Sequence, residues 1–155
     1  MDMIKVIIDG KEYSVRKGAT ILEACKSVGI EIPTLCYLKE VNEIGACRIC
    51  VVEVKGARSL VAACVYPLDR DGTEIMTHSP AVLKSRKNTL ELLLSNHDKK
   101  CLSCNKNGEC EFQKLCADYG VEDEHRFDGQ VITYEKDSSM PHLLQRTHLL
   151  LSLIR

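Results

Sequence analysis

Tryptophan is absent from the 155 residues, and aromatic residues together make up only 5%. A core built on large rings is excluded, so a chain of this length needs another source of stability, as small metal-stapled domains do. No charge of one sign dominates either: 21 Lys and Arg face 22 Asp and Glu, for a net charge of -1. That balance excludes the basic field that nucleic-acid binding requires and leaves partner choice unread by charge. No stretch approaches the roughly 20 apolar residues that span a bilayer. The opening MDMIKVIIDGKEYSV also lacks a basic segment followed by an apolar one. A cytoplasmic protein without a transmembrane segment is expected.

What the chain has in excess is cysteine, nine in all, at 25, 36, 47, 50, 64, 101, 104, 110 and 116. In a reducing compartment a disulfide framework does not persist, and thiols in C-x2-C pairs then read as metal ligands.

Ile4, Val6 and Ile8 alternate ahead of Asp9-Gly10, and Lys11 to Val15 resumes an extended pattern, which predicts a hairpin over residues 1–16. Thr20 stands as an N-cap before Ile21, Leu22, Cys25 and Val28, and Gly29 follows as a stop, which predicts a short amphipathic helix. Residues 30–50 show little periodicity and form a long irregular loop, a feature compact domains keep for function. Val51–Val54 and Leu60–Ala63 read as a second hairpin, and Thr73–Thr77 as a last strand. Strands with one packed helix give an α+β, β-grasp-like domain over residues 1–78. From Ser79 the period becomes helical: Ser79 caps, Pro80 takes the first position, and Val82, Leu83, Leu90, Leu93 and Leu94 are expected on one face. A small, mainly helical second domain is expected over 79–120, with a short helix within Glu109 to Tyr119, and loop and tail over 121–155.

The spacing Cys36-x10-Cys47-x2-Cys50-x13-Cys64 sets three thiols in one loop and the fourth at the end of the hairpin that follows. Two irons bridged by two sulfides take four thiolates, two per iron, and soft thiolate suits iron-sulfur chemistry. Gly45 and Ala46 remove bulk before Cys47, so that backbone N–H groups can approach the sulfurs. A four-cysteine zinc site uses the same donors and stays open on ligand type alone. The run Gly45-Ala46-Cys47-Arg48-Ile49-Cys50-Val51-Val52-Glu53-Val54, with Cys36 before and Cys64 after, resembles the amino-terminal 2Fe-2S domain of iron-only (FeFe) hydrogenases. The same domain occurs in the large iron-sulfur subunit of respiratory NADH dehydrogenase and in some formate dehydrogenases. Plant-type ferredoxins differ, since their first gap is roughly four residues.

Further on, His97-x3-Cys101-x2-Cys104-x5-Cys110 offers one imidazole and three thiolates at the end of the second-domain helix. Zinc held by three cysteines and one histidine is open here too. The run His97 to Cys104, followed by Gly108-Glu109-Cys110-Glu111-Phe112-Gln113-Lys114-Leu115, is similar to the one-histidine, three-cysteine motif of the same proteins. That resemblance implies a 4Fe-4S cluster held by all four side chains. Cys25 is read as a core residue. Cys116, six residues past Cys110, is ambiguous in role and is read as core as well.

Together the resemblance and the residues imply a ferredoxin-like module that relays single electrons between a 2Fe-2S and a 4Fe-4S cluster. Its expected partner is a redox protein or subunit, either flavin- or NAD(H)-binding or the catalytic subunit of a hydrogenase. No G-x-G-x-x-G fingerprint follows a strand, so no nicotinamide site and no catalytic residue are expected in this chain. A zinc-stabilised interaction module without redox activity is the alternative. The resemblance ends near residue 140, before HLLQRTHLLLSLIR. That change gives the expectation of a truncated or frame-shifted fragment, with an amphipathic docking helix through Leu143, Leu144, Leu150, Leu151 and Ile154 as the other reading.

Overall fold

A computed structural model of the chain describes residues 2–121 and 127. The acidic run 122–124 and the tail from 141 onward lie outside them. Two compact units divide the chain, Met1–Thr89 and Leu90–Arg155.

The first unit is a mixed five-stranded sheet with one helix in its core. β1 (Met3–Ile8) and β2 (Lys11–Arg16) pair antiparallel from Met3↔Arg16 to Ile8↔Lys11. Asp9 and Gly10 turn the chain between them, both with positive φ (48° and 81°), the conformation a two-residue primed turn demands. β1 then pairs in parallel with β5 (Thr73–Met76), and β5 pairs antiparallel with β3 (Val51–Val54), which carries the short β4 (Val61–Ala62) on its far side. The strand order is β2-β1-β5-β3-β4.

α1 (Ile21–Ser27) begins on a reciprocal cap: the Glu23 N–H donates to Thr20 Oγ1, and the Thr20 N–H donates to the Glu23 carboxylate, both at 3.2 Å. Two otherwise orphaned N–H groups are thereby satisfied, a cap worth about 1 kcal/mol. Its apolar face, Ile21, Leu22, Ala24 and Cys25, joins Ile4, Val6 and Ile8 of β1, Val52 and Val54 of β3 and Ile75 of β5 in one core. Cys25 is fully enclosed there, as expected. Burial, and then the Asp9 charge, push its thiol from 9.0 up to about 11. Between those two values the unfolded chain releases a proton that the folded chain retains, so folding stability falls as pH rises from 9 towards 11. Chemical denaturation across that range is expected to show this decline, and Cys25→Ala is expected to make it shallower; an equally steep decline in the variant would assign it to other groups.

α2 (Pro80–Ser95) is capped by Ser79, whose Oγ accepts from the Val82 N–H at 3.3 Å. Its enclosed residues differ from the expected apolar stripe. Leu83 is 41% exposed, whereas Val82 and Arg86, one turn apart, are both completely buried. An arginine occupies a position that an apolar-only pattern passes over, because hydrophobic periodicity does not register a charge that finds a carbonyl partner far along the chain. In the second unit, a 3-10 turn (Cys101–Ser103) and α3 (Glu111–Asp118) follow. Among the described residues, no helix is long and apolar enough to cross a membrane.

Candidate metal centres

Residues 30–50 form the irregular loop that the sequence implies, held by local hydrogen bonds. Asn42 Nδ2 donates to the Cys36 carbonyl at 2.8 Å, and Leu38 and Asn42 close a small bridge. Three residues of the loop take left-handed backbone conformations, Glu40 (φ 66°), Gly45 (φ 64°) and Arg48 (φ 60°). Arg48 Nη2 donates to the Leu60 carbonyl at 3.2 Å, which ties the Cys47–Cys50 turn to the β3–β4 hairpin. On the opposite strand the Ala63 N–H donates to the Cys50 carbonyl at 3.0 Å, bringing Cys64 back beside the loop.

All four thiols of the first set are buried. They meet as two pairs. Cys50 Sγ and Cys64 Sγ lie 3.4 Å apart, and Cys36 Sγ accepts the Cys47 N–H at 3.4 Å. Burial pushes the Cys64 thiol up to about 12, helped by the Cys50 thiol and by charge on Cys36 and Cys47, so the other three thiols all act on Cys64. Burial also raises Cys36, while the Cys47 and Ala46 N–H groups pull it down by stabilising the thiolate. Those N–H groups are the donors that small residues before Cys47 were expected to admit.

A single zinc ion draws four sulfurs around one point at about 2.3 Å. Two thiol pairs suit a core of two irons, each taking two thiolates. The donor set therefore fits a 2Fe-2S cluster.

Gly45 is enclosed, and a Cβ on it would stand 3.3 Å from both methyl carbons of Val65. Gly45→Ala is expected to cost about 1–2 kcal/mol through its left-handed backbone, with a further small cost in shifting Val65. Urea denaturation measures this; a variant as stable as the native chain would show that the loop relaxes to negative φ.

In the second unit, His97 follows the end of α2, its N–H donating to the Leu94 carbonyl at 3.0 Å. The ring lies against Phe112 of α3, centroids 5.4 Å apart. The Lys99 N–H donates to His97 Nδ1 at 3.0 Å, which in the neutral ring leaves the proton on Nε2. Binding iron requires a ring nitrogen without a proton, so ligation by His97 would require either exchanging the Lys99 hydrogen bond for iron or a change of tautomer. Cys101 and Cys104 bracket the 3-10 turn, the Lys106 N–H donates to Cys104 Sγ at 3.5 Å, and Cys110 is the N-cap of α3. Cys104 is exposed, while Cys101 and Cys110 are half-buried.

Cys116 is the thiol whose role the sequence leaves ambiguous. It is half-buried, and burial and then the charges of Cys110 and Cys101 push its thiol up to about 11, which sets it near those two sulfurs. Three thiols on a short turn and a helix cap, with an imidazole beside them, fit the ligand chemistry of a 4Fe-4S cluster.

Thiol pairs in a loop on a mixed sheet, and a second sulfur-rich turn between short helices, define an iron-sulfur protein of the electron-transfer class. Residues 1–80 match the family described as a 2Fe-2S iron-sulfur cluster binding domain, and residues 86–125 match the NADH-ubiquinone oxidoreductase-G iron-sulfur binding region. The chain belongs to that 2Fe-2S family. Its cofactors are a 2Fe-2S and a 4Fe-4S cluster, and it is an electron-transfer module.

It is 45% identical over 144 residues to the NADP-reducing hydrogenase subunit HndD of Solidesulfovibrio fructosivorans, covering 90% of this chain and 24% of that one. To the NADH-ubiquinone oxidoreductase 75 kDa subunit of Reclinomonas americana it is 46% identical over 125 residues, covering 81% of this chain and 18% of that one. The chain thus spans a quarter or less of these relatives. Among solved structures, the crystal structure of NAD+-reducing [NiFe]-hydrogenase in the H2-reduced state matches with a TM-score of 0.78 at 31% identity, covering 89% of this chain and 57% of that one. The likeness expected from the two cysteine motifs to hydrogenase and NADH dehydrogenase subunits is borne out.

Proposed function

We propose that Cys36, Cys47, Cys50 and Cys64 hold the 2Fe-2S cluster in a β-grasp domain over residues 1–78. Cys36 and Cys47 take one iron, and Cys50 and Cys64 the other. In the same reading His97, Cys101, Cys104 and Cys110 hold the 4Fe-4S cluster within residues 79–120. The observation that carries the proposal is the meeting of the first four thiols in two buried pairs, the arrangement two irons need.

When bound, the two clusters accept and release single electrons. The protein's own part is to keep water from the first set of thiols and to direct N–H groups at the sulfurs, as Ala46 and Cys47 do at Cys36. Around the second set the chain leaves Cys104 exposed and Leu102 98% exposed, which suits approach by another protein. The partner is a flavin- or NAD(H)-binding subunit or a hydrogenase catalytic subunit, a reading supported by the named activities of the relatives. The nine free thiols belong in a reducing compartment, so the site of action is the cytoplasm.

Purification without oxygen tests the reading. About six irons and six acid-labile sulfides per chain are expected, with two distinct paramagnetic resonance signals on reduction. Two zinc ions and no visible absorption would replace it by the zinc-stabilised module.

A further inference from the structure

One buried group of the first unit is unused by the thiol chemistry. Arg86 is fully enclosed, and among the described residues it is the sole buried cation, the other buried polar side chains being Thr77, Glu91 and Ser95. Enclosing a guanidinium is costly unless its donors are met. Its Nη2 donates to the Val51 carbonyl at 2.8 Å, across 35 residues of sequence.

Val51 is the residue after Cys50 and the first of β3. The reason its carbonyl is free for an arginine lies in the sheet. β3 pairs with β5 through Glu53↔Met76 and Val54↔Ile75. Continued in register, Val51 would stand opposite His78, beyond the last residue of β5. With no strand there, the carbonyl takes the guanidinium, while the Ala63 N–H holds Cys50 from the β4 side.

Four thiolates make the bound cluster an anion that gains one further negative charge on reduction. A permanent cation in a low-dielectric setting one residue from Cys50 favours the more negative, reduced state. A purely packing role at this position would be met by methionine or leucine at less cost.

We propose that Arg86 is a positioning residue that raises the midpoint potential of the 2Fe-2S centre, by fixing the Cys50–Val51 segment and placing a buried positive charge next to it. The proposal rests on the reading that Cys50 and Cys64 hold that cluster. Its test has a separate readout for each of these statements.

The full chain is prepared with both clusters as the native protein and as Arg86→Lys, Arg86→Gln and Arg86→Met, and the 2Fe-2S signal is followed through a redox titration by paramagnetic resonance. Arg86→Lys is expected to stay near the native midpoint. Arg86→Gln, which retains a donor for the Val51 carbonyl, and Arg86→Met are expected to shift it downward with unchanged iron and sulfide content. The shift should persist at high salt, since a buried charge is little screened. Equal midpoints in Lys and Gln variants overturn the proposal, whether or not the Met variant folds. Loss of the cluster in both Lys and Gln variants also overturns it, because the side chain then serves the fold alone. Absence of a 2Fe-2S signal from the native chain would instead overturn the ligand reading.

Discussion

Cys64→Ala is expected to remove the 2Fe-2S centre outright. On the proposed ligand set, one iron would be left with only Cys50 as a protein donor, and a two-iron core needs two thiolates on each metal. Iron and sulfide should each fall by about two per chain, and the 2Fe-2S resonance should vanish while the 4Fe-4S signal persists. The fold should weaken as well, because the energy of binding a metal group is energy of folding in a small domain with a modest core. Cys25→Ala is the control. It removes a thiol just as enclosed from the same unit, and both clusters should survive. Equal loss of iron in the two variants would mean that general core damage, and not a missing ligand, explains the Cys64 result.

His97→Cys is expected to keep a 4Fe-4S cluster and lower its midpoint potential. A neutral imidazole in place of a thiolate leaves the bound group one negative charge short, and restoring that charge disfavours the added electron. Two-histidine 2Fe-2S centres lie roughly 250 mV or more above their all-cysteine counterparts, so one imidazole is worth on the order of 100 mV. The substitution also removes Nδ1, the acceptor of the Lys99 N–H, and the ring that lies against Phe112. A combined potential and thermal-stability measurement separates these effects: lost packing lowers stability alone, whereas lost imidazole ligation moves the potential. An unchanged potential with a full complement of iron would show that His97 is not a ligand.

Sequence reading reached the first unit through short-range rules. The Asp9-Gly10 turn, the Thr20 cap and the strand at Val51–Val54 each depend on neighbours within a few positions, and each is present. It was less successful where a side chain answers to something far along the chain. Leu83, expected on the buried face of α2, is exposed. Arg86 and Arg48 carried no signal at all. Arg86 serves a carbonyl 35 positions away and Arg48 one 12 positions away, and no local period encodes either distance.

The number, type and spacing of the candidate ligands were set by the chain's chemistry alone, because ligand count and softness are properties of residues and not of their arrangement, while the two kinds of cluster followed from the resemblance of the two motifs to known iron-sulfur domains. Only the tertiary structure decided that Cys36 sits with Cys47 and Cys50 with Cys64, since that pairing depends on β4 folding back along β3. It likewise decided that an arginine is enclosed beside Cys50, because β5 ends before it reaches Val51 and leaves a carbonyl that a buried donor must satisfy.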